Sequence, residues 1–483
     1  MTSYLLENKI VLILKKILIV LPFHLTLRNL VFSGLAKQLL KDYDCQIAIA
    51  SPFNINFYKI ADEEIKNYKI PCKKGSGGLY DPTGISFFYY LLVGLRIRIF
   101  AIANPNGSFL MKTLSSLKRN LHSSWFSWLL TFLAHILFLI DKNILPLKFL
   151  INKLIRNLKG NNKFIENVFN DYKPDLVIIG SNSVYNFDIL FQLFAIRRKI
   201  PVVAFVQSWD NLYSRGPIII EPDLLLVWST LMKNQAIKLH DFPPNKISIC
   251  GPLQFVHYNK KNLENIKNLN SKFNYLLYVT GGSTPEYDIE DFLEFYKIIK
   301  SSKYHSLKII FRPHPQVDRN QYVSLKSLQG VEFDESPDIT RSDENVKLFD
   351  ENEMIRTANL ILNAKVIFSS WATTMLLEAC IFDKPVVQLR WMNSVKHNQS
   401  LEFKKVVFFQ NYTHLKDFDK HNPRLFSDTP LDLIQKIDQI LINSNEYKIN
   451  RHNAVSDLIH MPLENIINNC ANSLKYILLK NKS

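Results

Sequence analysis

Two series of short, continuous apolar runs constrain this chain more than any other feature. Most runs end in a glycine, serine or proline, and most are separated by a helical stretch. The first series is ILIVLP, QIAIAS, PDLVIIGS, PVVAFVQS, DLLLVWS and ISICGP. The second is FNYLLYVT, LKIIFRPHPQ, GVEFD, AKVIFSS, KPVVQLR and KVVFF. Runs of Val, Ile and Leu without polar alternation suit strands buried on both faces, and helical connectors between them predict parallel sheets covered on both sides. In the first series, ILIVLP (Ile17–Pro22) leads into the helix-like LRNLVFSGLAKQLLKDY. The chain therefore reads as two similar α/β units with a ligand cleft between their strand ends.

At 483 residues the chain exceeds what one core normally holds. Residues 1–255 form the predicted first unit, interrupted by an aromatic and basic insertion at about 72–165. An Asn- and Lys-rich connector over 256–272 leads to the second unit, 273–430. A helical segment, 431–483, packs on the domains, with Leu431–Leu441 and Leu463–Leu478 at helical apolar spacing. The polar stretches ITRSDE and NYTHLKDFDKHNPR read as irregular.

With 47% hydrophobic and 21% charged residues, a largely disordered or coiled-coil chain is excluded. The net charge of +16 fits a solubilising surface, an anionic membrane surface, a phosphorylated substrate or nucleic acid. No nucleic-acid recognition motif accompanies it, so no nucleic-acid partner is expected. Cys45, Cys72, Cys250, Cys380 and Cys470 are scattered, without CxxC or a Cys/His grouping, which predicts reduced thiols and no metal site.

Lys15 and Lys16 interrupt the first apolar run and no small-residue cleavage pattern follows, so it reads as a strand rather than a signal peptide. Trp125–Ile140 is apolar on nearly every face but short for a bilayer crossing. It reads as a buried helix, a membrane-surface helix or a span, and Lys142, Lys148, Lys153, Arg156 and Lys159 follow among Leu and Ile.

Candidate chemistry gathers after the apolar runs. Gly281, Gly282, Ser283 and Thr284 form either a structural turn or a phosphate-contacting turn, with neither Walker nor GxGxxG spacing. In FRPHPQ, Arg312 supplies a fork suited to phosphate, and His314 is presented between stiffening prolines. In SSWATTMLLEA, Ser369, Ser370, Thr373 and Thr374 surround a strand-to-helix transition, and Glu378 follows within reach of a ribose or sugar hydroxyl. In the first unit, His24, Thr26, Arg28 and Asn29 follow one strand, while Ser208, Trp209, Asp210, Asn211 and Arg215 follow another. Such positions carry a general base and acceptor-binding groups. Asp210 is the first candidate base and His24 the second, with a loop-bracing role open for the aspartate. No Ser-His-Asp spacing points to a hydrolase.

The conjunction of RPHP (Arg312–Pro315), SSWATTMLLEA (Ser369–Ala379), KPVV (Lys384–Val387), SWDN (Ser208–Asn211) and GPLQF (Gly251–Phe255) resembles the GT-B-like glycosyltransferases. The likeness is strongest to bacterial surface-polysaccharide and teichoic-acid-type transferases. It covers much of the two units but not the insertion. It implies two Rossmann-like domains facing a cleft, with the nucleotide-diphosphate sugar held by the second and the acceptor by the first. It also implies transfer that needs no metal and no cofactor. Under it, Gly281–Thr284, Arg312, His314, Ser370, Thr373, Thr374 and Glu378 bind donor. It fixes no base in the first unit: from their places after the strands, Arg28, Asn29, Trp209 and Asn211 are expected to bind acceptor, and Asp210 or His24, with His314, to be catalytic.

The expected reaction is sugar transfer, inverting if Asp210 or His24 removes the acceptor proton, to a cell-envelope glycan or lipid-linked acceptor. The expected location is cytoplasmic, peripheral on the inner membrane face. The nearest alternatives are a polyol-phosphate transferase, a nucleotide-sugar 2-epimerase, and an inactive donor-binding membrane protein.

Overall fold

Each described apolar run becomes a strand, and the strands assemble into two parallel sheets. The structure is a computed structural model. It describes residues 14–480 apart from 44, 54–58, 61–62, 75–79, 83–86, 104–124, 144–146, 159–161, 182–185, 260–262, 264–274, 282–284, 316, 336–349, 370–373 and 392–411.

The first unit opens with β1 (Lys15–Val20), α1 (His24–Leu27), a π-helical turn over Arg28–Phe32, α2 (Leu35–Asp42), β2 (Cys45–Ser51) and β3 (Lys66–Lys69). The insertion contributes α3 (Phe87–Ala103), α4 (Trp125–Asn143) and α5 (Leu147–Asn157). The unit continues through α6 (Lys163–Tyr172), β4 (Leu176–Ile179), α7 (Asn186–Arg197), β5 (Val202–Phe205), α8 (Asn211–Ser214), β6 (Leu224–Val227), α9 (Thr230–His240) and β7 (Ile247–Ile249). The seven strands lie in the order β7-β6-β5-β4-β1-β2-β3, all parallel.

The second unit runs β8 (Tyr275–Val279), α10 (Pro285–Lys300), β9 (Lys308–Arg312), β10 (Val331–Phe333), α11 (Glu351–Leu362), β11 (Ala364–Ser369), α12 (Met375–Ile381), β12 (Val386–Leu389), α13 (Thr413–His421) and β13 (Leu425–Ser427). Its six parallel strands lie in the order β10-β9-β8-β11-β12-β13. Helices α14 (Leu433–Ile442), α15 (Ser444–Leu458) and α16 (Ile466–Lys480) complete the chain.

The order places the functional loops. In the first sheet the chain reverses direction between β1 and β4, and in the second between β8 and β11. Loops diverge at such switch points and leave a crevice beyond the strands' carboxyl ends. The segments after β1, β8 and β11 are PFHLTLRN, TGGST and SSWATT, three of the motifs singled out above. Close approach at the first switch point demands Gly180, because a Cβ there would sit 2.7 Å from Thr26 Cβ.

Apolar burial holds each layer. Tyr278, Phe292, Phe295, Phe311 and Phe368 are fully buried and mutually packed in the second unit. Truncating one such ring to alanine costs about 3–5 kcal/mol. The C-terminal helices bind the two units together. Helix α15 packs on α9 of the first unit and on α12 and α13 of the second. Helix α16 returns to the first sheet, where Ser473 Oγ meets Ser248 Oγ at 2.8 Å.

The differences from expectation have local causes. The run LRNLVFSGLAKQLLKDY is not one helix but α1, the π-helical turn and α2. Extra residues in such a turn re-aim side chains, here Arg28 and Asn29, and π turns gather at functional sites. NYTHLKDFDKHNPR is ordered, as α13 and the edge of β13. Its apolar anchors, Leu415 and Phe418, are too few to mark a period. Helices α11 and α15 escaped sequence reading for a similar reason. In α15 the buried apolar residues, Ala454, Val455 and Leu458, lie only near its end. KVVFF and ITRSDE lie outside the described residues.

Helix α4 is only partly buried over residues 132–141, where its side chains are described. It buries Ala134 and leaves Phe132, Leu133, Ile136 and Leu139 exposed, so the fully buried reading does not hold. Among the described residues, no helix is long and apolar enough to cross a membrane.

Candidate active site

Loops from both sheets line a cavity of about 340 Å³, within the range of small-molecule sites. The segments after β1, β5 and β7 supply one wall. The segments after β8 and β9, together with α11 and α12, supply the other.

On the first wall a chain of amides positions Arg28. Its Nε donates to Asn29 Oδ1 at 2.8 Å and its guanidinium to Gln254 Oε1 at 2.7 Å. Asn29 in turn donates to Gln207 Oε1 at 2.5 Å. Burial disfavours the Arg28 charge, the nearby Glu378 carboxylate supports it, and Arg312 opposes it. Arg28, expected on the acceptor side, thus also interacts with Glu378 and Arg312, which were expected on the donor side.

Asp210 precedes α8. Its carboxylate accepts from Ser214 Oγ and, at 3.4 Å, from Asn211 Nδ2. Asn211 Oδ1 accepts the Ser208 amide at 3.0 Å, which closes the turn. Burial alone would raise the Asp210 pKa. The charges of His414 and Arg215 and the hydroxyls of Ser208 and Ser214 outweigh it and hold the group well below the usual carboxylate range. Asp210 is a fixed carboxylate, braced and lining the cleft at once.

On the second wall, Thr280 Oγ1 accepts the His314 amide at 2.9 Å, locking the loops after β8 and β9 together. Burial, with Arg312 adding to it, lowers the His314 pKa to about 4, so the ring is neutral at pH 7. Arg312 is less open than its motif suggests. It is buried, and it donates to Asp334 Oδ2 at 2.5 Å and to Thr357 Oγ1 at 3.3 Å. Asp334 also accepts from Arg356, which pairs with Glu353 at 2.7 Å. The cluster sets two arginines against two carboxylates, so Arg312 lines the cleft as a compensated charge. Glu378, one turn into α12, accepts the Tyr258 hydroxyl at 2.6 Å from across the units. Tyr258 is pushed well above its ordinary pKa by burial and the Glu378 charge and stays a donor.

Not every expected residue lies here. The His24 ring sits on Phe53, centroids 4.1 Å apart, and its neighbours Phe23 and Leu25, not His24, are among the cleft-lining residues. Burial lowers its pKa. Trp209 is buried edge-on against His414 and Phe418 of α13, so it packs the units together rather than facing the cleft. Thr374 lines the cleft, whereas Gly281 stands beside it. Gly282, Ser283, Thr284, Ser370 and Thr373 lie outside the described residues. Among the described residues, no group of three His, Cys, Asp or Glu could hold a metal. A wider groove of about 850 Å³ runs along α15, and the sequence motifs do not converge on it.

Sequence reasoning missed Tyr258, Gln207, Gln254, Thr280 and Thr357. Gln254 lies within GPLQF and Thr280 immediately precedes Gly281, so both stood in segments already singled out. Gln207 likewise ends the run PVVAFVQS and immediately precedes Ser208, whereas Tyr258 and Thr357 carry no spacing signal.

No family model and no curated protein matches this sequence. Solved structures do match along nearly its full length. The wall teichoic acid polymerase TagF, in a structure with CDPG, aligns with a TM-score of 0.52 at 8% identity, covering 97% of this chain and 90% of that one. S. aureus MnaA, in a structure with UDP, aligns at 0.52 and 11% identity, covering 96% and 97%. A Listeria monocytogenes protein assigned as a UDP-N-acetylglucosamine 2-epimerase aligns at 0.51 and 10%, covering 96% of both chains. The fold is GT-B-like.

In this GT-B-like chain two hydrogen bonds join segments of the first unit and the connector to helices of the second. Tyr258 bonds Glu378, and Tyr213 donates to Asp417 of α13 at 3.1 Å. A fixed carboxylate, Asp210, and two arginines, Arg28 and Arg312, line the cleft. Such a site can hold an anionic group beside a hydroxyl-bearing one.

Proposed function

We propose that this chain transfers a sugar from a nucleotide-diphosphate sugar to a cell-envelope glycan or lipid-linked acceptor. It works as a peripheral protein on the cytoplasmic membrane face. The observation that carries the reading is the convergence of Arg28, Arg312 and Glu378 on one wall-to-wall cleft that Asp210 also lines.

The diphosphate sits between Arg28 and the locked Thr280–His314 turn, with Arg312 behind it. Neutral His314 donates a hydrogen bond without adding charge. Glu378 accepts a donor hydroxyl in place of the Tyr258 hydroxyl. An acceptor hydroxyl beside Asp210 attacks the anomeric carbon. The new glycosidic C–O bond forms as the bond to the diphosphate breaks, and the acceptor proton passes to Asp210. Negative charge grows on the leaving diphosphate, and cations fixed in advance stabilise it. The depressed Asp210 pKa makes it a modest base, so its main contribution is orienting the hydroxyl. Inversion at the anomeric carbon belongs to this proposal.

Incubation with a panel of nucleotide sugars and nucleoside-diphosphate polyols, with and without envelope lipid extract, tests the reading. Nucleoside diphosphate release that depends on extract, with sugar entering the glycan or lipid fraction, is expected. Formation of a C2 epimer without acceptor would assign an epimerase instead. Transfer of a polyol phosphate, with release of nucleoside monophosphate, would assign the phosphotransferase.

A further inference from the structure

We infer that α4 and α5 form the docking surface for an anionic lipid bilayer, an inference that rests on the membrane-side function proposed above. Residues 87–160 hold ten Lys or Arg and a single acid, Asp141. That segment therefore carries more than half of the chain's net +16. The same segment exposes an unusual amount of apolar surface among the described residues. On α4, Leu133, Ile136 (40% exposed) and Leu139 (58%) lie along one stripe, with Phe132 beside them. On α5, Leu150 (46%) and Leu154 (41%) are exposed, as are Lys153 and Arg156, while Ile151 and Ile155 are buried on the other side.

Apolar side chains flanked by cations, on a helix anchored by its inner face, suit the headgroup boundary of an anionic membrane. Charge selects this occupant. A second copy of the chain would bring the same positive charge to the same face and be repelled.

The surface is not an isolated appendage. Helix α3 packs on both α4 and α5, and Arg96 of α3 donates to Asn152 of α5 at 3.1 Å. Phe100 of α3 stacks on His240, centroids 5.1 Å apart. His240 bonds the Leu212 carbonyl at 2.9 Å and accepts the Ile218 amide at 3.2 Å, on the segment that follows Asp210. The docking helices are thus packed, through α3 and His240, against the acceptor wall.

Flotation of the full chain with phosphatidylcholine vesicles, and with an equal mixture of phosphatidylcholine and phosphatidylglycerol, tests this. Binding to the anionic vesicles that weakens with salt is expected. Each basic residue near such a surface contributes roughly fivefold in affinity. Lys153→Glu with Arg156→Glu should therefore weaken binding at least tenfold. Leu133→Ser, Ile136→Ser, Leu150→Ser and Leu154→Ser together should abolish it. Circular dichroism and nucleotide affinity serve as controls for folding, and because these side chains are exposed both should match wild type. Absence of vesicle binding by wild type would overturn the proposal, as would undiminished binding by either folded variant. Dimerisation in sedimentation that the four-serine variant removes would also overturn it, assigning the face to a second copy. Loss of nucleotide-sugar turnover on every acceptor would overturn the functional reading and leave the vesicle result standing.

Discussion

The Tyr258 hydroxyl donates to the Glu378 carboxylate across 2.6 Å, joining the segment after the first sheet to α12 of the second domain. In the proposed reaction a donor hydroxyl takes the place of this tyrosine. Donor binding therefore exchanges one partner of Glu378 for another. Tyr258→Phe should tighten nucleotide-sugar binding severalfold, because the competing hydroxyl is gone, and should lower stability by about 1.5–3 kcal/mol. Glu378→Gln should weaken binding. Titration calorimetry and urea denaturation measure the two effects.

Arg312 is paired with Asp334 inside the fold, and in the proposed reaction it also faces the donor. Its removal leaves Asp334 buried with Arg356 as its remaining cation. Arg312→Ala should destabilise by about 3–5 kcal/mol, the usual consequence of breaking a buried pair. Arg312→Lys should fold better yet bind donor about tenfold more weakly, because an ammonium cannot span Asp334 and Thr357 while facing phosphate. Denaturation midpoints and calorimetric affinities separate the two losses.

Asp210 is held ionised by His414, Arg215 and its hydroxyl partners, which overcome burial. Asp210→Asn should keep donor affinity and sharply reduce acceptor-dependent turnover. The acid limb of wild-type kcat/KM should show no Asp210 ionisation in the ordinary carboxylate range. An acid limb near pH 4 that vanishes in Asp210→Asn would contradict the described electrostatics.

Buried histidine and buried aspartate give opposite pH signatures. Burial lowers His240 to about 4, whereas the unfolded value is about 6.5. Unfolded chain therefore binds the extra proton first. The His240 contribution is complete above about pH 6.5 and is lost as pH falls towards 4. Burial raises Asp188 to about 8, against a lowering by Ser181, so its contribution is complete below about pH 4 and is lost as pH rises through 8. Thermal melts should show Asp188→Asn gaining on wild type towards pH 8. His240→Gln should lose less than wild type between pH 7 and pH 4.5.

Most sheet strands were legible because they are unbroken Val, Ile and Leu runs, and the switch-point loops because motifs followed those runs. The edge strands β3 (KNYK) and β13 (LFS) carry no such run and escaped. What escaped was mostly single polar residues. Nothing near Tyr258 announces that it reaches Glu378, 120 positions away. Nothing in FRPHPQ reveals that Arg312 is already engaged by Asp334. Such pairings are made by packing two domains and leave no local period. Trp209 shows the converse. Its place beside Asp210 suggested an acceptor contact, yet its ring fills the seam against α13.

Gly251 marks where the C-terminal helices close the structure. Its φ of +93° and a Cβ position 2.7 Å from Ile466 leave no room for a side chain. Gly251→Ala should lower stability by about 1–3 kcal/mol, read from the urea midpoint. Added Ile466→Ala should relieve the clash but not the backbone strain.

Crystallography of the chain soaked with its best-binding nucleotide sugar would locate the donor. Diphosphate density is expected between Arg28 and the Thr280–His314 turn, with a donor hydroxyl on Glu378 and Tyr258 displaced from it. Donor density confined to the groove along α15, with the Tyr258–Glu378 bond intact, would contradict this placement.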